Sequence, residues 1–140
     1  VLPFEPVFFE RGLTLTADIQ EHITVSGSQQ HLRQITDILL DNAQKYSDVP
    51  GEVTAVLTRQ GSRCRLSVSN PGPALSKEEL RSIFERFYRV DSAHTQRSYG
   101  LGLSIARNIV AHHHGRIWAE SKEGRVTFTV ELPVRASARS

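Results

Sequence analysis

The chain has one cysteine, one tryptophan and no methionine among its 140 residues. With Cys64 alone, no internal disulfide can form, which is compatible with a reducing compartment. The absence of methionine makes the chain read as a piece of a longer protein. No run approaches the roughly 20 apolar residues that a membrane-crossing helix needs, and Val1-Leu2-Pro3-Phe4-Glu5-Pro6 lacks the basic and apolar regions of a signal peptide. A soluble domain is expected. Nor is there a strong charge of either sign: a formal net charge of +2 is too small to argue for DNA or an anionic lipid surface, and no nucleic-acid partner is expected. What is present, 39% hydrophobic and 23% charged residues, suits one globular domain with a real core and excludes disorder.

Periodicity orders the elements. Leu13, Leu15, Ala17 and Ile19 alternate, and Ile23 and Val25 continue the pattern after a polar break, so two opening strands are expected. Ser28 is placed to cap a helix running to about Lys45, with Leu32, Ile35, Leu39, Ala43 and Tyr46 on its inward face. Val53 to Arg59 and Arg63 to Ser69 alternate around Gln60-Gly61-Ser62 as a hairpin, with Cys64, Leu66 and Val68 on one face. Ser76-Lys77-Glu78-Glu79 is a capping box, and Leu75 and Leu80 form a hydrophobic staple, for a short helix to about Phe84. A polar loop follows. A third helix spans about Gly102 to His114, with Leu103, Ala106, Ile109, Val110 and His113 inward and Gly115 as its stop. Arg116 to Ser121 and Val126 to Leu132 make a closing hairpin across Lys122-Glu123-Gly124. Such an order predicts a two-layer α/β sandwich: a mixed, mostly antiparallel sheet of about five strands, covered on one face by three helices. Residues 1–12 are expected to be a partial lead-in from a preceding domain, 13–133 the domain itself, and 134–140 a frayed tail.

Three strings carry candidate chemistry. Asp41-Asn42-Ala43-Gln44-Lys45-Tyr46 places Asn42, Lys45 and Tyr46 on one helix face. An amide oxygen can ligate a hard cation, an ammonium suits phosphate, and an aromatic ring can lie on a base. Equally, Tyr46 is core and Lys45 solvated; for the hexapeptide alone the two readings stand level. Tyr99-Gly100-Leu101-Gly102-Leu103-Ser104 opens the third helix with two glycines, whose backbone N–H groups and helix dipole favour an anion. The preceding polar loop, with Arg86, Arg89 and Arg97, is suited to close over a triphosphate. Because residues 91–98 hold only one small apolar side chain, Arg89 to Tyr99 is expected to be mobile until ligand orders it. Ile83-Phe84-Glu85-Arg86-Phe87-Tyr88-Arg89 is the most distinctive string.

Together these strings resemble the catalytic, ATP-binding domain of sensor histidine kinases, within the GHKL superfamily. The asparagine box is Leu39 to Ser47, the phenylalanine box Phe84 to Arg89, and the second glycine box Gly100-Leu101-Gly102-Leu103. His114 to Ser121 and Thr127 to Pro133 also resemble that family, and the likeness covers about Gly12 to Pro133. It implies ATP and Mg²⁺ as cofactors, with Asn42 holding the metal, Lys45 reaching phosphate and Tyr46 against the adenine. It further places Leu75, Phe84, Arg89, Arg97, Gly100, Leu101, Gly102 and Leu103 around the nucleotide. The first glycine box aligns with Asn70-Pro71-Gly72-Pro73-Ala74, which retains Gly72 but carries Asn70 for the aspartate that reads the adenine amino group and Ala74 for a glycine. By rotating its amide, an asparagine can offer oxygen to adenine or NH₂ to guanine, so relaxed base choice is expected, and Asn70→Asp is expected to tighten ATP binding and widen the ATP-over-GTP ratio.

The implied reaction moves the ATP γ-phosphoryl group to a histidine on a separate dimerisation and histidine phosphotransfer domain, with a response regulator receiver domain downstream. The parent is then expected to be a homodimeric inner-membrane sensor, and this chain its cytoplasmic domain. None of His22, His31, His94 or His112 to His114 has the phosphoacceptor motif. Ile38 stands where ATP-hydrolysing relatives place a water-activating glutamate, and isoleucine is no general base, which disfavours those ATPases. The altered first glycine box leaves a nucleotide-sensing pseudokinase as the alternative, while the Glu85-Arg86-Phe87-Tyr88-Arg89 string disfavours an anti-sigma serine kinase. His112, His113 and His114 point about 100° apart on a helix and cannot converge on one metal, so they read as a helix C-terminus effect. Trp118 reads as a partly exposed surface aromatic.

Overall fold

Alternation along the strands separates a buried face from a polar one, and this separation decides the layering. In a computed structural model of the chain, which describes residues 9–10, 12–19, 29–47, 50–85, 88–92, 95–99 and 102–133, five strands form one sheet. They are β1 (Leu13–Ile19), β2 (Gly51–Gln60), β3 (Arg63–Pro71), β6 (Arg116–Lys122) and β7 (Arg125–Pro133), in the order β1-β2-β3-β7-β6. Only β1 and β2 run parallel. The other neighbours, β2 with β3, β3 with β7 and β7 with β6, are antiparallel. A parallel pair needs a crossover, and the long helix α1 (Gln29–Tyr46) lies between these two strands in sequence. Ile23, Val25 and the Ser28 cap fall outside the described residues, as do residues 134–140.

The remaining elements are α2 (Lys77–Ser82), the strands β4 (Tyr88–Ser92) and β5 (Thr95–Tyr99), and α3 (Gly102–His112). Three helices and a mixed five-stranded sheet make the α/β sandwich that the alternation predicts. The polar stretch read as a loop is instead a two-stranded antiparallel hairpin, pairing Tyr88 with Tyr99 and Ser92 with Thr95. Counting apolar side chains misses such a hairpin, because its ladder is made by backbone groups that every residue but proline carries in full.

One core joins the layers. Val53 and Ala55 of β2, Cys64 and Val68 of β3, and Val126, Phe128, Val130 and Leu132 of β7 are buried with Ile35, Leu39, Leu40 and Ala43 of α1 and Leu103 and Val110 of α3. Tyr46, Leu66 and Ile109 pack at its margin. Burial pushes the Cys64 thiol up, so it behaves as a small apolar side chain. On the opposite face Glu131 accepts from Arg65 at 2.7 Å and from Arg116 at 2.9 Å, its cross-strand partners on β3 and β6. The Arg65 guanidinium, then that of Arg116, holds its carboxyl below the usual carboxylate range. Both guanidiniums also lie over the half-buried Trp118 ring, at 5.3 and 5.1 Å from its centroid.

Local chemistry sets the element ends. The capping box forms as expected, with Ser76 Oγ accepting from the Glu79 N–H at 3.1 Å and Glu79 Oε1 from the Ser76 N–H at 2.9 Å. α2 stops at Ser82, short of Phe84, and Ile83 and Phe84 turn into the core. Between Lys122 and Arg125, Glu123 and Gly124 both have positive φ, 52° and 76°, the two-residue reversal that matches strand twist. At the end of α3 the left-handed residue is His114, with φ 63°, not Gly115. His114 N–H bonds to the Ala111 carbonyl and Gly115 N–H to the Val110 carbonyl, which closes a Schellman motif one residue earlier than expected. Glycine at 115 answers to space. A Cβ there would stand 2.6 Å from Leu132 Cδ2 and closer still to the Glu131 carbonyl oxygen of β7.

Gly115→Ala should therefore push α3 off β7 and lower stability by about 1–3 kcal/mol, the usual range for overpacking. Urea denaturation checks this. A midpoint equal to that of the parent would mean the strand yields without cost.

Candidate nucleotide-binding site

The candidate residues lie on the C-terminal part of α1, beyond Ile38, where the first turn of α3 comes against that helix. Spacing of three and four residues does group the candidates. Asn42 is buried to 9% exposure, Tyr46 is half-buried against the core, and Lys45 is exposed. The Tyr46 ring packs partly against the core. Lys45 Nζ makes a 3.0 Å ion pair with Asp41 Oδ2, and that carboxylate raises the Lys45 pKa. Exposed pairs one helical turn apart hold by only a few tenths of a kcal/mol, so Lys45 can swing to another anion at little cost. Ser47 ends the helix by returning both its N–H and its hydroxyl to the Ala43 carbonyl.

α3 begins close by. A Cβ added at Gly102 would stand 3.3 Å from Ile38 Cγ2, which lies one turn before Asn42 on α1. A glycine at 102 lets the first backbone N–H groups of an eleven-residue helix sit next to that turn. Leu103 locks the start of the helix into the core at 2% exposure. Gly100 and Leu101 lie outside the described residues, as does Arg86. Of Arg89 and Arg97 the backbone is placed, opposite Ser98 in the case of Arg89 and opposite Val90 in the case of Arg97.

The first glycine box forms the other side. Asn70, the last residue but one of β3, is at 4% exposure, and its Nδ2 donates to the Pro71 carbonyl at 2.9 Å. The amide is therefore not free to rotate: turning it would bring Oδ1 against a carbonyl oxygen. This corrects the expectation of a two-way asparagine. With its NH₂ engaged by the main chain, Asn70 presents an acceptor, as the aspartate it replaces would. Gly72 N–H donates to the Gly124 carbonyl at 3.0 Å, and a Cβ at Gly72 would stand 3.0 Å from Val126 Cγ2, so this glycine too is needed for close packing. Ala74 is exposed and meets no such demand. Ser121 straps the segment down, donating to the Pro73 carbonyl at 3.2 Å and accepting from the Leu75 N–H at 3.0 Å. Leu75 packs on the core, and Phe84 is buried edge-on to Phe128 with centroids 6.0 Å apart, so its ring anchors the end of α2. Sequence reasoning missed the Asn70–Pro71 bond and the Ser121 strap. The first needed only the thought that a buried amide must find a neighbour; the second had no local signal, since 46 residues separate its ends.

A five-stranded mixed sheet under three helices among the described residues, with a glycine-opened helix start packed on the long helix, matches the α/β fold of a nucleotide-binding GHKL domain. The chain belongs to the family described as histidine kinase-, DNA gyrase B-, and HSP90-like ATPase, whose sequence profile matches residues 27–136. Among curated relatives it is 38% identical to the signal transduction histidine-protein kinase BaeS of Escherichia coli, over 94% of this chain and 29% of that protein. It is 36% identical to the sensor protein DltS of Streptococcus agalactiae, over 96% of this chain and 34% of that protein. The chain thus spans about a third of the length of such relatives. Among solved structures, the nucleotide-free catalytic domain of histidine kinase ThkA superposes with a TM-score of 0.81 at 28% identity, covering 94% of this chain and 86% of that one. Full-length ShkA in complex with AMPPNP gives 0.82 at 25% identity, covering 97% of this chain and 28% of that one.

Asn70→Asp removes a donor and sets a carboxylate oxygen against the Pro71 carbonyl. It should destabilise the domain by about 1–3 kcal/mol, the cost of an unmade buried bond. Thermal unfolding of parent and variant at pH 7 measures this, and equal stability would mean the amide is not held by Pro71.

Proposed function

We propose that the chain is the ATP-binding catalytic domain of a sensor histidine kinase, which passes the γ-phosphoryl group of ATP to a histidine on the dimerisation and histidine phosphotransfer domain of its parent. The observation that carries this reading is the close approach of the glycine-opened start of α3 to Ile38 of α1, one helical turn before the buried Asn42. The residues present fit Mg-ATP: an amide oxygen for a hard cation, a loosely paired ammonium for phosphate, and helix-start N–H groups for the anion. In this reading Asn42 holds Mg²⁺, Lys45 leaves Asp41 for a phosphate oxygen, and Tyr46 borders the base. Asn70 accepts from the adenine amino group, and Gly72, Leu75 and Phe84 shape the walls. Arg89 and Arg97 of the hairpin, with Gly100, Leu101, Gly102 and Leu103, complete the phosphate side. Bound magnesium would screen the triphosphate charge. The chain's own residues orient the terminal phosphate toward an acceptor that another domain supplies.

Ile38 in place of a carboxylate supports transfer to a protein acceptor over hydrolysis, since nothing at that position can activate water. Asn70 as a held acceptor and Ala74 in an exposed position weaken the grounds for a pseudokinase. A response regulator receiver domain is the proposed onward acceptor and a homodimer the proposed parent. No helix among the described residues is long and apolar enough to cross a membrane. An inner-membrane parent with this domain in the cytoplasm is therefore a statement about segments beyond this chain.

The test is calorimetric titration with ATP, with and without magnesium, followed by transfer of labelled phosphate. The chain should bind Mg-ATP, neither label itself nor turn over appreciably, and label the parent's phosphotransfer domain added in trans. Asn42→Ala should abolish the gain from magnesium, and Lys45→Ala should weaken binding several-fold. Magnesium-dependent binding that survives Asn42→Ala would misplace the site. With its amide held by Pro71, the parent chain should prefer ATP to GTP, and Asn70→Asp should not widen that ratio; GTP binding as tight as ATP would show that Asn70 does not read the base.

A further inference from the structure

β6 is an edge of the sheet, paired with β7 and, among the described residues, with no strand on its other side. Beside it lie two open cavities, of about 410 and 350 Å³, which share Arg107, Ile117 and Trp118 and so form one groove. The groove runs along β6 between α2 and α3, from Lys77 at the start of α2 to Gly115 beyond the end of α3. Its apolar lining is Leu80 and Phe84 on one side, Val110 on the other, and Ile117 with the half-buried Trp118 between them. Phe84 alone among the described residues is shared with the proposed nucleotide site. Four cations complete the lining: Lys77 and Arg81, one turn apart on α2, Arg107 of α3 and Arg116 of β6. Lys77, Arg81 and Arg107 are exposed and have no ion-pair partner among the described residues. Arg116 divides Glu131 with Arg65, so that cluster too keeps one positive charge in excess. Among the described residues no carboxylate lines the groove; Glu79 is engaged in the capping box and Glu120 accepts from the Trp118 indole N–H at 3.3 Å.

We propose that this groove is a docking site for an acidic segment of a partner protein that also carries large apolar side chains. Charge complementarity selects the occupant. A chain whose whole formal charge is +2 gathers three unpaired cations around one apolar groove, whereas Lys45, Arg65 and Arg125 each bind a carboxylate or carbonyl of the chain itself. Cations grouped in this way repel one another and gain from a ligand that brings carboxylates. The long stems of lysine and arginine lie along apolar surface while their charged heads reach outward, so the groove sorts its ligand: apolar side chains to the floor, carboxylates to the rim. A floor of this kind distinguishes the ligand from a bare anion, which needs no floor, and the cations distinguish it from an apolar one, which needs no charge. Tryptophan and arginine, the residues that most often dominate the binding energy of interfaces, both line it. An extended segment suits an edge strand, whose outward backbone groups face no neighbouring strand. The proposal stands whether or not the chain binds nucleotide.

Trp118 is the only tryptophan of the chain, so its fluorescence reports on this groove alone. The ligand for the test is a short synthetic peptide, blocked at both ends, that alternates glutamate and leucine. At low salt it should shift the Trp118 emission to the blue with a saturable midpoint. Binding should weaken by about tenfold or more in the double variant Arg81→Glu, Arg107→Glu, which turns two attractions into repulsions. The variant Arg81→Gln, Arg107→Gln, which removes the charges without reversing them, should fall between variant and parent. Both positions are exposed, and urea denaturation verifies that all three proteins are equally folded. A peptide alternating glutamate and serine, which keeps the charge and lacks the apolar side chains, should bind several-fold more weakly. The absence of a saturable shift, binding indifferent to both variants, or a lysine–leucine peptide held as tightly as the glutamate–leucine one would overturn the proposal. So would a blue shift on concentrating the chain alone, accompanied by dimers in sedimentation, since the groove would then belong to a second copy of the chain.

Discussion

The close approach of α1 to α3 over the sheet is the constraint on which the rest depends. Two glycines make it possible. Gly102 lets the start of α3 come down beside Ile38, and Gly115 lets the chain leave the other end of α3 pressed against the backbone of β7. A methyl group at 115 would need room that is not there, and one at 102 would require Ile38 to give by a few tenths of an ångström, which a densely packed interior does not yield freely. Between these two points Leu103, Ala106 and Val110 are buried to 2% exposure or less, so the register of α3 on the core is set by shape as well as by area.

That arrangement divides the molecule by chemistry. The sheet face under the helices is apolar and dry, and the opposite face carries hydroxyls and the Arg65–Glu131–Arg116 cluster with Trp118 beneath the guanidiniums. The polar ends of the helices are left at the two rims of the helix layer. Toward one rim the start of α3 comes against Ile38, one turn before Asn42; at the other, His31 meets His113. A helix start offers its backbone N–H groups to an anion, whereas a helix end favours positive charge. One packing solution thus creates two rims of opposite electrostatic character.

The first glycine box illustrates how a substitution is read differently in one and in three dimensions. As a string, Asn70-Pro71-Gly72-Pro73-Ala74 departs from its family twice, and both departures look like losses. In the fold, Pro71 supplies the carbonyl that holds the Asn70 amide, Ser121 supplies the strap for Pro73 and Leu75, and Ala74 is exposed. An asparagine held in this way supplies an acceptor without the charge of the aspartate, so the change is one of strength more than of kind.

Alternation in β2, β3 and β7, the four-residue spacing of Ile35, Leu39 and Ala43, and the capping box at Ser76 were all legible in the sequence, because each depends on residues within a turn or two of one another. The order and spacing of the boxes likewise carried the family. Sequence alone misjudged the hairpin of β4 and β5, whose ladder is backbone, and placed the left-handed residue at Gly115 when His114 adopts it. There composition stood in for contacts that only the chain's path decides. The Gly115 approach to β7, the strap from Ser121 and the meeting of His31 with His113 join residues from 16 to 82 positions apart. Such contacts follow from how two helices settle on a twisted sheet, a packing outcome summed over the whole core, and no local pattern encodes it.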